Sequence, residues 1–171
     1  TPIRRDAYQP LAYQVETVDL AFVLDPKATV VSNRMRCVRN PQAAAGPVVL
    51  YGEALACLSV RIDGAAPADG QVRTVEGGLE IDVDADVVVL EIVTRIDPSA
   101  NLTLSGLYQS RGGYYTQCEA EGFRRITYFP DRPDVMARYT VRLEADAATC
   151  PVLLSNGNLL ANGTLQGGRL G

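Results

Sequence analysis

Val15-Glu16-Thr17-Val18-Asp19-Leu20-Ala21-Phe22-Val23-Leu24-Asp25-Pro26 sets Val15, Val18, Leu20, Phe22 and Leu24 at close to two-residue spacing before an Asp-Pro stop. Side chains alternate between the two faces of a strand, so this spacing predicts a half-buried β-strand. Val30, Val31, Met35, Cys37 and Val38 supply the return strand of a hairpin. Further short strands follow at Val48 to Leu50, Leu58 to Ile62, Val72 to Val75, Leu79 to Val83 and Val87 to Ile96, parted by Gly, Asp and Pro. Arg138 to Ala145 alternates with Tyr139, Val141 and Leu143 on one face. Val152 to Leu154 reads as a late strand, and the tail from Leu159 to Gly168 as the start of a hairpin whose partner lies beyond Gly171.

Helical signal is confined to the residues after Asp131, where Pro133 suits a first helical turn, and to Ala54 to Leu58, which reads either as a local turn or as the cap of a strand. The pattern predicts an all-β antiparallel sandwich with at most one or two short helical turns, occupying residues 1–171 as a single domain. Gln42 to Gly46 and Ala65 to Gly70 are small-residue surface loops.

A net charge of −4, from 16 basic and 20 acidic residues, provides no cationic footprint for nucleic acid. Apolar runs such as Val87 to Leu90 fall far short of the roughly 20 residues that cross a bilayer, and no basic-then-apolar leader opens the chain, so neither nucleic acid nor membrane is an expected partner. Cys37, Cys57, Cys118 and Cys150 are irregularly spaced and read as reduced thiols, with Cys37 and Cys57 as small buried hydrophobes. In a reducing compartment the triplets Asn101-Leu102-Thr103 and Asn162-Gly163-Thr164 carry no glycan.

Chemistry concentrates in Gln117-Cys118-Glu119-Ala120-Glu121-Gly122-Phe123-Arg124-Arg125 and the following Tyr128-Phe129-Pro130-Asp131-Arg132-Pro133-Asp134. If Thr116 to Glu121 is extended, Gln117, Glu119 and Glu121 share one face, either solvated or able to bind a cation. Arg124, Arg125, Asp131, Arg132 and Asp134 are candidates for a turn held by ion pairs and an Asp cap. Tyr108, Tyr114 and Tyr115 are read as packing residues rather than pocket walls.

The run Thr116 to Arg125 with Tyr128 to Pro133 resembles the N-terminal domain of bacterial aminopeptidase N, zinc-dependent alanyl aminopeptidases of the gluzincin group. Tyr8-Gln9-Pro10, Val18-Asp19-Leu20, Leu24-Asp25-Pro26, Gly106 to Ser110, Asp134 to Tyr139 and Pro151 to Asn158 fall in the order of that family, so the resemblance covers almost the whole chain. It implies a saddle-like fold and a cytoplasmic exopeptidase that removes N-terminal residues from peptides. Gln117 and Glu119 match the family's Gln-x-Glu element. By resemblance they bind the amino group of the peptide substrate and shape part of the first-residue pocket, with no catalytic residue in this fragment.

The family's zinc is held by a His-Glu-x-x-His helix and a further Glu, whereas this chain contains no His. The family's Gly-Ala-Met-Glu-Asn segment is absent as well. The resemblance therefore implies zinc in a full-length enzyme, none bound by this fragment, and a catalytic domain of the same chain as partner. The other reading is a non-catalytic β-sandwich binding or interaction module, in which the Gln117 to Arg125 run is only a polar strand and turn.

Overall fold

A computed structural model describes residues 8–171. Strands β1 (Tyr13–Val23) and β2 (Thr29–Arg39) form the long antiparallel hairpin, with a bulge between Val15 and Thr17 that absorbs the break in period. The Asp25 carboxylate closes the turn by accepting from the backbone N–H groups of Lys27 and Ala28, each at 2.9 Å, while the Thr29 hydroxyl donates to the Asp25 carbonyl at 2.7 Å.

The remaining strands are β3 (Val48–Tyr51), β4 (Ala56–Ile62), β5 (Val72–Val75), β6 (Gly78–Ile81), β7 (Val87–Ile96), β8 (Gly106–Ser110), β9 (Gly113–Gln117), β10 (Arg138–Asp146), β11 (Thr164–Leu165) and β12 (Arg169–Leu170). They make a seven-stranded sheet in the order β11-β12-β10-β1-β2-β7-β4, a three-stranded sheet β3-β6-β5 and a two-stranded hairpin β8-β9. Pairing is antiparallel except between β1 and β10, which run parallel from Thr17 opposite Arg138 to Val23 opposite Glu144.

One face of the large sheet is apolar. Val18, Leu20 and Phe22 of β1, Val31, Met35 and Cys37 of β2, and Val88, Leu90 and Ile92 of β7 are buried in one core with Val48 and Leu50 of β3 and Leu79 and Ile81 of β6. On the other face Arg34 bridges Asp19 and Glu91 at 3.4 Å each, with all three side chains exposed. Such pairs in water are worth little individually, so burial on the first face dominates the stability of the sheet.

The sole helical element among the described residues is a 3-10 turn at Phe123–Arg125. The expected helical turn after Asp131 is instead a simple turn at residues 133–134, and Ala54 to Leu58 takes the strand-cap alternative, its last three residues being the start of β4. Val152 to Leu154 pairs with no strand among the described residues. The tail also departs from expectation: β11 finds its partner within the chain, in β12, across a turn with Gly167 and Gly168 at φ of +76° and +73°. Only glycine takes up consecutive left-handed conformations at little cost, and this is what lets the tail fold back on itself. Cys57 is exposed on edge strand β4, not buried as expected; Cys37 is fully buried, and all four cysteines are free thiols.

Candidate functional site

Hairpin β8-β9 presents the polar run at its open end. Strand geometry stops at Gln117, and residues 119–122 form a turn, closed by the Gly122 N–H donating to the Cys118 carbonyl at 2.8 Å. The expected extension of strand parity through Glu121 is thereby corrected. Gln117 and Glu119 remain neighbours because the Gln117 side-chain amide donates to the Glu119 carbonyl at 3.3 Å. Glu121 turns away to the Arg124 guanidinium at 3.3 Å. Both Gln117 and Glu119 are exposed, and among the described residues no cation pairs with Glu119.

Gly122 makes the turn possible. A Cβ there would lie 2.5 Å from the Gln117 carbonyl oxygen and 2.9 Å from the Cys118 Cα, both backbone atoms that cannot yield without moving the loop.

Behind the turn, the segment from Phe123 to Asp131 is fixed to the large sheet by buried polar contacts. The Thr94 hydroxyl donates to the Ile126 carbonyl at 3.0 Å, and the Asn33 side-chain amide donates to the Thr127 hydroxyl at 3.3 Å and the Tyr128 carbonyl at 3.2 Å. Tyr51 and Phe129 exchange backbone hydrogen bonds at 2.8 and 3.1 Å, joining the segment to β3. Phe123 packs edge-on against Phe129 with centroids 4.9 Å apart.

Asp131 is the buried centre of this anchor. Its Oδ2 accepts from both the Arg124 backbone N–H and Arg124 Nε, each at 3.0 Å, and Arg124 Nη2 donates to the Asp131 carbonyl at 2.8 Å. The guanidinium also lies over the Tyr51 ring, 4.7 Å from its centroid. Asp131 thus satisfies an N–H of a helical turn as expected of an Asp cap, but of the 3-10 turn that precedes it in sequence. Arg125 pairs with Glu53. Arg132 pairs with Asp134 at 2.6 Å and donates to the Gln9 carbonyl at 3.1 Å, while the Tyr8 hydroxyl donates to Asp134 at 2.7 Å. Distant segments of the chain, Tyr8-Gln9 and Arg132 to Asp134, therefore meet in one clamp.

The electrostatics of the interior follow from burial. Cys118 is pushed up to about 11, chiefly by burial, with the nearby Asp131 charge adding to it; Tyr139, 44% exposed, is raised by the desolvation of the part of its ring packed against Phe123 and Phe129. Neither is disposed to act as a nucleophile near neutral pH.

Catalytic zinc needs three protein ligands, and among the described residues no group of three His, Cys, Asp or Glu converges to hold a metal.

The peptidase M1 N-terminal domain model matches residues 67–170. This chain belongs to the peptidase M1 family, as its N-terminal domain. It is 49% identical over 162 residues to the aminopeptidase N of Caulobacter vibrioides, covering 95% of this chain and 18% of that protein. Against the aminopeptidase N of Escherichia coli it is 44% identical over 165 residues, covering 96% of this chain and 19% of that protein. Among solved structures, Legionella pneumophila aminopeptidase A in complex with aspartic acid superposes with a TM-score of 0.88 at 29% identity, over 96% of this chain and 20% of that one. A Deinococcus radiodurans M1 zinc metallopeptidase bound to a Tyr-Ser-Ala substrate shares the fold, with a TM-score of 0.74 at 16% identity over 93% of this chain and 38% of that one. The chain spans about a fifth of the length of its aminopeptidase N relatives.

The sequence places Tyr108, Tyr114 and Tyr115 alike among packing residues, whereas in the structure Tyr108 and Tyr115 stack on each other. The structure separates them from Tyr114, which packs against the core, whereas Tyr115 is about half exposed, at 51%. Their positions, two residues before Ser110 and two after Gly113 at the closed end of the hairpin, carry no sequence signal that distinguishes a stacked surface pair from core aromatics.

Proposed function

We propose that this domain serves a zinc-dependent aminopeptidase that removes N-terminal residues from peptides, with the metal and its ligands in a catalytic domain elsewhere in the same polypeptide. In this reading the domain contributes the receptor for the substrate's ammonium. Glu119 supplies the anionic anchor and Gln117 orients it, helping to shape the first-residue pocket. A free N-terminus differs from an internal amide by one positive charge, and a fixed carboxylate that becomes partly desolvated recognises that difference through a charge-assisted hydrogen bond. The observation that carries this reading is the contrast between two neighbouring acids: Glu121 is tied to Arg124, whereas Glu119 is exposed at the turn with no cation beside it among the described residues.

The domain's exposed apolar residues support a packed partner. Val152, Leu154, Leu159 and Leu160 are 69% to 85% exposed on a stretch without strand pairing, a surface suited to cover by the catalytic domain. A cytoplasmic setting accords with four free thiols.

The decisive comparison is Glu119→Ala against Glu121→Ala in the full-length enzyme, assayed on amino-acid amides. Glu119→Ala is expected to lower kcat/KM by about 2–5 kcal/mol, and Glu121→Ala by well under 1 kcal/mol, with zinc content unchanged in both. Wild-type kinetics in Glu119→Ala would remove the anchor assignment. Metal analysis of the isolated domain is expected to give no stoichiometric zinc, and its amide-hydrolysing activity to be nil.

A further inference from the structure

The pair Asn-Gly occurs twice, at Asn156-Gly157 and Asn162-Gly163, and all four residues are exposed. A Cβ added at either glycine would meet nothing within 4 Å, so neither site is crowded. One difference separates them. The Gly163 N–H donates to the Gly171 carbonyl at 2.8 Å and the Gly171 N–H to the Gly163 carbonyl at 3.1 Å, a closed pair just beyond Thr164 and Leu170 of the β11-β12 hairpin. Gly157 sits in a bend at φ of +91°, and its N–H donates to no acceptor among the described residues.

We propose that Asn156 is a site of spontaneous deamidation in this domain, and that the fold holds Asn162 back from the same reaction. The Gly157 backbone nitrogen loses its proton to solvent base and attacks the carbonyl carbon of the Asn156 side chain. A new C–N bond closes a five-membered imide, the bond to the side-chain nitrogen breaks, and that nitrogen takes up a proton and leaves as ammonia. Water then opens the imide at one carbonyl to give aspartate, or at the other to give isoaspartate. Solvent supplies every co-reactant. Glycine favours the attack because it has no side chain to shield its nitrogen. At Gly163 the nitrogen that must lose its proton is already donating to a carbonyl, so the reaction waits for the end of the hairpin to open. The product at residue 156 puts a carboxylate between Leu154 and Leu159, which are 85% and 76% exposed, and so introduces charge into the apolar stretch.

The 171-residue chain is incubated in mildly alkaline buffer, folded and, in parallel, unfolded in guanidinium chloride. Fragment-ion mass spectrometry locates the mass gained, and labelling by an isoaspartyl methyltransferase measures isoaspartate. In the unfolded chain the two Asn-Gly pairs are expected to convert at similar rates. In the folded chain Asn156 is expected to stay close to its unfolded rate, and Asn162 to fall about tenfold below its own, the scale of opening two backbone hydrogen bonds. A folded chain in which Asn162 converts as fast as Asn156, or in which Asn156 stays intact while its unfolded counterpart converts, overturns the proposal. Asn156→Gln leaves the glycine of the bend in place, and its longer side chain has to close a six-membered ring. This variant is expected to lose the early mass gain and the isoaspartate signal in the folded chain. Should both persist at the wild-type rate, the reaction lies at another residue and the proposal falls.

Discussion

Arg124 and Asp131 bind each other three times over: the backbone N–H and Nε of Arg124 both reach Asp131 Oδ2 at 3.0 Å, and Nη2 reaches the Asp131 carbonyl at 2.8 Å. Asp131 is only 8% exposed. Removing its carboxylate leaves a largely buried guanidinium and a backbone N–H without their acceptor. Asp131→Ala is expected to destabilise the domain by about 3 kcal/mol, read from the midpoint of chemical denaturation. A loss within experimental error of zero would show that the pair is solvated and replaceable.

Gly122→Ala tests whether the site depends on the turn and not only on the acid it carries. Gly122 has an ordinary φ of −94°, so the penalty is steric, from the contacts a Cβ makes with Gln117 and Cys118. The full-length variant is expected to lose roughly tenfold in kcat/KM on amino-acid amides while keeping its zinc, a displacement of the order of 1 Å being sufficient for such losses. Kinetics equal to wild type would mean that the turn can shift without carrying Glu119 with it.

Alkaline pH should weaken the fold. Burial raises Cys37 from 9.0 to about 12 and Cys118 from 9.0 to about 11. Both are largely protonated in both states at pH 8, where the folded state has its full advantage. As pH rises from 9 toward 12 the unfolded chain ionises first, and stability falls. Denaturation midpoints at pH 8 and pH 10.5 are expected to differ, and Cys37→Val, which keeps the apolar volume, should narrow the difference. A pH-independent midpoint across that interval would contradict the burial of these groups.

The isolated domain is expected to self-associate through Val152, Leu154, Leu159 and Leu160. Light scattering against concentration measures it, and the double variant Leu154→Ser with Leu160→Ser should shift the domain toward monomer. A wild-type domain that stays monomeric at high concentration would leave this surface without a demonstrated partner.

Legibility in the sequence followed the range of the forces involved. Alternation in Tyr13–Val23 and Arg138–Asp146 reports a local property, which side of a strand meets the core, and those strands form where alternation indicates. Which strands lie side by side is not local, and nothing in the pattern of β10 marks it as the parallel neighbour of β1. Gln117 and Glu119 are legible only as residue types matching a motif, and their place at a substrate site is our proposal. The break of parity after Gln117 was not legible, because it comes from the Cys118–Gly122 turn, whose one local sign is Gly122 itself. The tail hairpin had a readable sign in Gly167-Gly168, outweighed by the expectation of a partner strand further on. Cys57 looked like a core residue because its neighbours are apolar, and an edge strand exposes such residues all the same.

The parallel pairing of β1 with β10 also orders events during synthesis. Val23 lies opposite Glu144, so one flank of β1 waits for its neighbour until nearly the whole domain has emerged. At about 5–20 residues per second a ribosome takes roughly ten seconds to make the intervening chain. Throughout that interval the β1-β2 hairpin offers a bare row of backbone donors and acceptors to anything in reach. Slower translation between β2 and β10 lengthens the exposure, whereas refolding from denaturant, with every strand already made, bypasses it.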